Sequence, residues 1–164
     1  TTGGRVVARP AASVRALSQA FAERLVNKGY GAVVEGVPES QDIGRPLGPK
    51  PKRPHLFAVD PKGKAAFTRV DVAFDDGEVA GVVLQPRTGR THQIRVHLSS
   101  IDTPIVGDIH YGGPAAVYCG DVVVKAPRPL LHAHRLDIPL AGGMKTFEAP
   151  VPQLLGQFGD FEFE

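Results

Sequence analysis

Cysteine is almost missing from this sequence and tryptophan is missing altogether: Cys119 stands alone among 164 residues. One thiol closes no intramolecular disulfide and builds no multi-cysteine zinc or iron–sulfur site, and such scarcity fits a reducing compartment. Long apolar runs are lacking as well. None approaches the ~18 residues that cross a bilayer, so no membrane partner is expected. The opening Thr1-Thr2-Gly3-Gly4-Arg5 lacks the charged-then-apolar order of a secretory signal. These absences lead to the expectation of a soluble, cytoplasmic protein. An excess of charge is also wanting, since 19 Lys and Arg against 17 Asp and Glu leave only +2.

Turn formers, by contrast, are abundant. Gly and Pro together supply 34 residues, too many for a helical bundle or a coiled coil. The length predicts a single domain over residues 1–164, with a radius of gyration of roughly 15 Å and about 70% of the unfolded surface buried. The small net charge is unevenly placed. Residues 146–164 hold Glu148, Asp160, Glu162 and Glu164 and no base, so residues 1–145 carry 19 bases against 13 acids, or +6. Between Asp42 and Asp60 there is no acid, while Arg45, Lys50, Lys52 and Arg53 fall together among prolines. Such a stretch meets phosphate backbones or is a solvated loop, and charge alone does not choose.

The pattern along the chain predicts α+β with a mainly antiparallel, mixed sheet and flanking helices. Arg5–Arg9 reads as a short strand closed by Pro10. Ser13 then caps a helix whose Val14, Leu17, Phe21 and Leu25 form a stripe expected to bury against the sheet, ending at Asn27-Lys28-Gly29. Tyr30–Val37 reads as a buried strand, and the stretch from there to Pro54 as a loop. Strands follow at Leu56–Val59, Ala66–Phe74 and Val79–Gln85, the last two joined by the turn Asp75-Asp76-Gly77-Glu78. A helix is predicted over Thr91–Ser100, with Ile94, Leu98 and Ile101 on one face and Arg95 off it. Pro104–Gly113 reads as irregular, Val122–Lys125 as an edge strand, and Leu130–Leu140 and Thr146–Glu148 as strands.

Histidine spacing does not support a metal. His92 and His97 fall on different faces of a helix, and His132 and His134, though on one face of a strand, have no third ligand at a fitting spacing. Nucleotide-binding and hydrolase loops of the usual patterns are absent. The stretch Thr88–Leu98, TGRTHQIRVHL, is different in kind. It gathers two arginines, two histidines, Thr and Gln around one turn and keeps an apolar stripe. Fork-shaped donors concentrated this way hold an anion or a carboxylate in a fixed place, whereas a merely exposed face carries more Lys and Glu.

These residues carry a resemblance. TGRTHQIRVHL followed by PIVGDIHYG (Pro104–Gly112) resembles the signature of the RluA-like RNA pseudouridine synthases. KGYGAVVEG (Lys28–Gly36) is similar to that family's K-x-Y strand, DPKGKAA (Asp60–Ala66) to the segment before its central hairpin, and LLHAHRLDIPL (Leu130–Leu140) and FEAPVP (Phe147–Pro152) to its closing strands. The resemblance implies a pseudouridine synthase fold and isomerisation of uridine in rRNA or tRNA, by an enzyme that flips the base out of its stack and uses no cofactor or metal. A monomer is expected.

The family's essential Asp lies in H-R-L/I-D-x-x-T-S/T-G. His134-Arg135-Leu136-Asp137 matches only the first letters and is followed by Ile-Pro-Leu, so Asp137 is rejected. Thr1-Thr2-Gly3 matches the end of that motif, which places the nucleophilic Asp three residues before Thr1; the chain as given is then expected to be inactive alone. Carried over position by position, Arg95 matches the salt-bridge partner of that Asp. Tyr30 matches the tyrosine against the target base, its phenol assisting proton removal at C5, and Leu131 the apolar residue lining the pocket. Arg90, His92 and Gln93 are substrate-binding candidates that support the Arg95 turn or touch RNA. Arg45, Lys50, Lys52 and Arg53 are candidates for a rim that meets RNA phosphates. The alternative to an enzyme is an inactive RNA-binding module derived from such a synthase.

Overall fold

A computed structural model describes residues 1–9 and 11–163; Pro10, expected to close the first strand, and Glu164, the end of the acidic tail, lie outside the described residues. The centre is β7 (Val79–Pro86), flanked by β2 (Asn27–Glu35) and β6 (Thr68–Asp75), both antiparallel to it. Seven of the eight residues of β7 are buried, so its run VAGVVLQP is near-continuously apolar rather than alternating, as a strand covered on both faces requires. β10 (Leu131–Leu140) pairs with the other edge of β2, and β3 (Gln41–Ile43) closes the far side on β6. The free edge of β10 is shared by β1 (Thr2–Gly3), its parallel partner, and the antiparallel β11 (Gly143–Glu148). Two hairpins stand outside this sheet: β4 (Leu47–Lys50) with β5 (Arg53–Val59), and β8 (Ala116–Cys119) with β9 (Val122–Lys125). The expected α+β class and mixed sheet are observed.

The two faces of the sheet are covered differently. α2 (Gln93–Ser99) lays Ile94 and Leu98 on the face to which Tyr30 belongs. Gly31, one residue on, points to the opposite face, where a Cβ would come 3.0 Å from Phe163 and 3.2 Å from Phe161. That face is covered by the chain's last segment, in which α3 (Gln153–Gly156) is followed by Phe158, Phe161 and Phe163. The tail is thus held by its aromatic residues, and its Asp160 and Glu162 alternate with them.

Several expectations fail for physical reasons. Arg5–Arg9 is irregular, because bonding to β10 ends at Gly4, whose N–H donates to the Ala133 carbonyl. The first helix, α1 (Ala11–Ala22), stops short of Asn27: Arg24 turns the chain in the left-handed region at φ 59, and β2 has already begun at Asn27. Its stripe does not bury as expected; Ala20 is buried and Leu17 packs beside it, but Val14, Phe21 and Leu25 remain more than 40% exposed. The stretch before Pro54 is not a plain loop, since short β3 pairs there with β6 and short β4 with β5. Strand β8 and helix α3 had no strong periodic signal.

Candidate active site

The segment TGRTHQIRVHL is built around Gln93. Its Oε1 accepts from the Thr88 hydroxyl at 2.7 Å and the Arg90 N–H at 3.0 Å, and its Nε2 donates to the Phe67 carbonyl at 2.9 Å and Thr68 Oγ1 at 3.0 Å. The amide is therefore saturated, and it clamps the start of α2 to the start of β6. His92 enters α2 in the left-handed conformation at φ 54, with Nδ1 2.7 Å from the Tyr111 hydroxyl. Burial, and then the nearby Arg95 charge, lower its pKa and favour the neutral ring.

The relay continues inward. The Thr68 hydroxyl lies 2.8 Å from His97 Nδ1, and His97 Nε2 lies 2.9 Å from the Arg45 carbonyl. A carbonyl only accepts, so the ring hydrogen sits on Nε2 and Nδ1 accepts from Thr68. His97 is completely buried, and burial lowers its pKa below the ordinary imidazole value. Its stabilising contribution is complete above pH ~6.5, where both folded and unfolded rings are neutral. It is lost as the pH falls from there toward the folded-state value, because only the unfolded chain readily takes the proton. The melting temperature is thus expected to fall between pH 7.5 and 5.5, with a shallower slope in His97→Asn, as thermal denaturation at fixed ionic strength would show.

With α2 so fixed, Arg95 points away from the apolar stripe and meets Asp108. Its Nε and Nη2 donate to the two carboxylate oxygens, each at 2.7 Å. The Asp108 side chain is 1% exposed and that of Arg95 17%, so the pair is largely dehydrated. The guanidinium also lies 4.7 Å from the centroid of the Tyr111 ring. Asp108 was not among the residues singled out in the sequence, although it sits inside PIVGDIHYG; its burial beside an arginine is a tertiary fact.

A cleft of about 340 Å³ opens here, and Tyr30, Arg90, His92, Gln93, Arg95 and Leu131 all line it. Tyr30 enters from β2 and Leu131 from β10, which is antiparallel to it, so one sheet face presents both. Burial raises the Tyr30 pKa. Thr1 also lines the cleft. It is held there by β1, where a Cβ on Gly3 would fall 2.1 Å from the Ala133 carbonyl oxygen at φ +105, a position only glycine fills. Lys28, two residues before Tyr30, is a further lining residue; its Nζ donates to the Thr88 carbonyl at 3.0 Å, and burial lowers its pKa. Lysine and threonine at these positions lie within the quoted segments but carried no separate signal.

The basic stretch divides. Lys50 lies 5.7 Å from the Tyr111 ring centroid and so reaches the back of the Arg95 site. Arg45 is turned to the end of α2, where it donates to the Ser100 carbonyl. Lys52 and Arg53 are exposed at the β4–β5 turn. None of these four lines the cleft. His132 and His134 both lie against the Ala149 carbonyl, at 3.1 and 2.7 Å. The carboxy-terminal segment stacks on the second of them, Phe163 lying 3.8 Å from His134 between ring centroids.

Comparison with known proteins gives a consistent result. Residues 1–100 match a family model described as RNA pseudouridylate synthase. The chain is 40% identical over 156 residues to the dual-specificity RNA pseudouridine synthase RluA of Escherichia coli K12, covering 92% of this chain and 68% of that protein. It is 36% identical over 161 residues to the ribosomal large subunit pseudouridine synthase D of Vibrio parahaemolyticus, covering 93% of this chain but only 50% of that protein. Among solved structures, human RNA pseudouridylate synthase domain containing 1 superposes with a TM-score of 0.68 at 30% identity, over 86% of this chain and 61% of that one.

Proposed function

Because the chain belongs to the RNA pseudouridylate synthase family, we propose that it is the carboxy-terminal portion of an enzyme that converts uridine in rRNA or tRNA to pseudouridine. The observation that carries this reading is the single cleft in which Tyr30, Arg95 and Leu131 converge from three separate segments. A uridine in folded RNA must leave its stack to expose the glycosidic bond, and such a base needs an apolar wall, an aromatic face and a fixed charge. Leu131, Tyr30 and Arg95 supply these.

The reaction is an isomerisation. The N1–C1′ bond breaks, the uracil turns, a C5–C1′ bond forms, C5 loses its proton and N1 gains one, so atoms balance without a redox partner. In this reading the attacking carboxylate precedes Thr1 in the full-length protein, bonds C1′ as N1 departs and leaves as C5 bonds C1′; that Thr1 lines the cleft supports its delivery there. Two of the Arg95 nitrogens are engaged by Asp108, and Nη1 remains to receive that second carboxylate. Asp108 thus fixes the fork, and the fork fixes the nucleophile. In this reading Gln93 and His92 serve the turn rather than the RNA, while Arg90 and Lys28, which line the cleft and are each tied to a backbone carbonyl, supply positive charge for the RNA phosphates. The protein works as a cytoplasmic monomer in this reading.

The test uses the full-length protein that contains this chain and RNA labelled with tritium at C5 of uridine. Release of tritium to water is expected; intact label after prolonged incubation with ribosomal and transfer RNA would overturn the reading. Residues H-R-L/I-D-x-x encoded directly before Thr1 are expected on the same grounds.

A further inference from the structure

A second groove adjoins the cleft. It lies between the end of α1 and the loop from β7 to α2, encloses about 300 Å³, and is lined by Phe21, Arg24, Lys28, Arg87 and Arg90, with no acidic residue among its lining. Lys28 and Arg90 line both the groove and the cleft, so the two are continuous. Phe21 is 43% exposed although it belongs to a stripe whose pattern predicts burial. Arg24 makes no ion pair among the described residues, and Arg87 meets only Asp42, at 3.7 Å with both side chains more than half exposed, a contact of little energy.

We infer that this groove holds the single-stranded nucleotides flanking the target uridine, one base stacked on Phe21 and the adjoining phosphates on Arg24 and Arg87. The inference rests on the proposed function and deepens it by naming the form of RNA at that site. An aromatic side chain beside a run of cations is the arrangement that binds single strands without reading sequence, since every base offers a ring face and every linkage a charge. Cations without the ring fit any anionic surface; the ring without cations fits an apolar partner. Their conjunction, with no acid in the lining, selects a nucleic acid strand. Arg24, in the left-handed region just past the end of α1, is among the residues that line the groove.

The test uses the full-length protein and two probes, a fluorescein-labelled twelve-residue oligouridylate and a blunt RNA duplex of the same length. Phe21→Ala is expected to weaken binding of the oligouridylate roughly tenfold and to leave duplex binding unchanged. In the double variant Arg24→Ala/Arg87→Ala the slope of log affinity against log salt should flatten by about 1.4, the value for two single-strand phosphate contacts. Turnover at saturating RNA should stay at the unsubstituted level, with only KM raised. Melting temperatures of both variants, close to the unsubstituted protein because the positions are exposed, exclude misfolding. Unchanged oligouridylate affinity in Phe21→Ala, or a change in oligomeric state in its place, overturns the inference and assigns the face to a protein partner. Binding as expected without pseudouridine formation would keep the groove and reject the proposed activity.

Discussion

Replacing Asp108 by alanine is expected to abolish tritium release as completely as Arg95→Ala, although in the proposed reaction Asp108 touches no reacting atom. The two form a bidentate pair at 2.7 Å, with the aspartate 1% exposed. Removing either partner leaves a poorly hydrated charge without its counterion, at a cost of about 3 kcal/mol in stability. The Arg95 fork, once released, is free to swing toward water, and the carboxylate it should orient loses its fixed partner. Because both substitutions destroy one unit, the double variant should be no less active than either single one, a non-additivity that a double-mutant cycle measures. Arg95→Lys is not expected to rescue, since an ammonium cannot occupy both carboxylate oxygens in the planar geometry of a guanidinium. The readout that separates positioning from mere folding is temperature. If the role is structural alone, activity of Asp108→Ala returns in full where circular dichroism shows the variant folded; if positioning is required, the folded variant remains inactive.

That pair also marks where sequence reasoning stops. The concentration of fork-shaped donors in TGRTHQIRVHL pointed to an anchored anion, and the helical stripe Ile94, Leu98 correctly left Arg95 free to point elsewhere. The identity of the anion within the chain was not legible, because Asp108 approaches from a segment with neither helical nor strand period. The central strands were readable from their apolar runs: β7 needed no partner knowledge to be recognised. The stripe of α1 misled for a related reason. Periodicity states which residues share a face, not whether the protein has a surface to cover it, and Phe21 shares its face with Val14 and Leu25 yet borders a groove. The aromatic tail was silent for the opposite reason: Phe158, Phe161 and Phe163 have no regular element of their own and are ordered only by the sheet beneath them. In the basic stretch, composition placed four cations together in sequence, but a hairpin and a bend separate them in space, and only Lys50 approaches Tyr111.

Tyr30→Phe is expected to lower kcat by about a hundredfold or more with KM unchanged, the range for loss of a group that moves a proton in the transition state. Tyr30→Ala should lower kcat equally and raise KM as well, because a stacked base is worth roughly 1–3 kcal/mol and alanine offers no ring. The two variants separate the platform from the phenol. The pH profile then tests the phenol directly. Burial raises its pKa above the ordinary value, so at neutral pH almost all of the enzyme carries the protonated form, which cannot accept the proton from C5. If the phenolate is the base, kcat climbs about tenfold for each pH unit from 6 to 9, without a plateau, since the raised pKa lies beyond that window. Tyr30→Phe should lose this slope entirely. A Phe variant that retains both the rate and the slope of the unsubstituted enzyme would reduce Tyr30 to its aromatic face, and the proton on C5 would then have to pass to another group lining the cleft. Lys28 is the candidate the geometry offers, its ammonium already biased toward the neutral amine by burial and its Nζ held 3.0 Å from the Thr88 carbonyl. In that case the slope survives in Tyr30→Phe and disappears in Lys28→Met, so the same two profiles decide which side chain takes the proton.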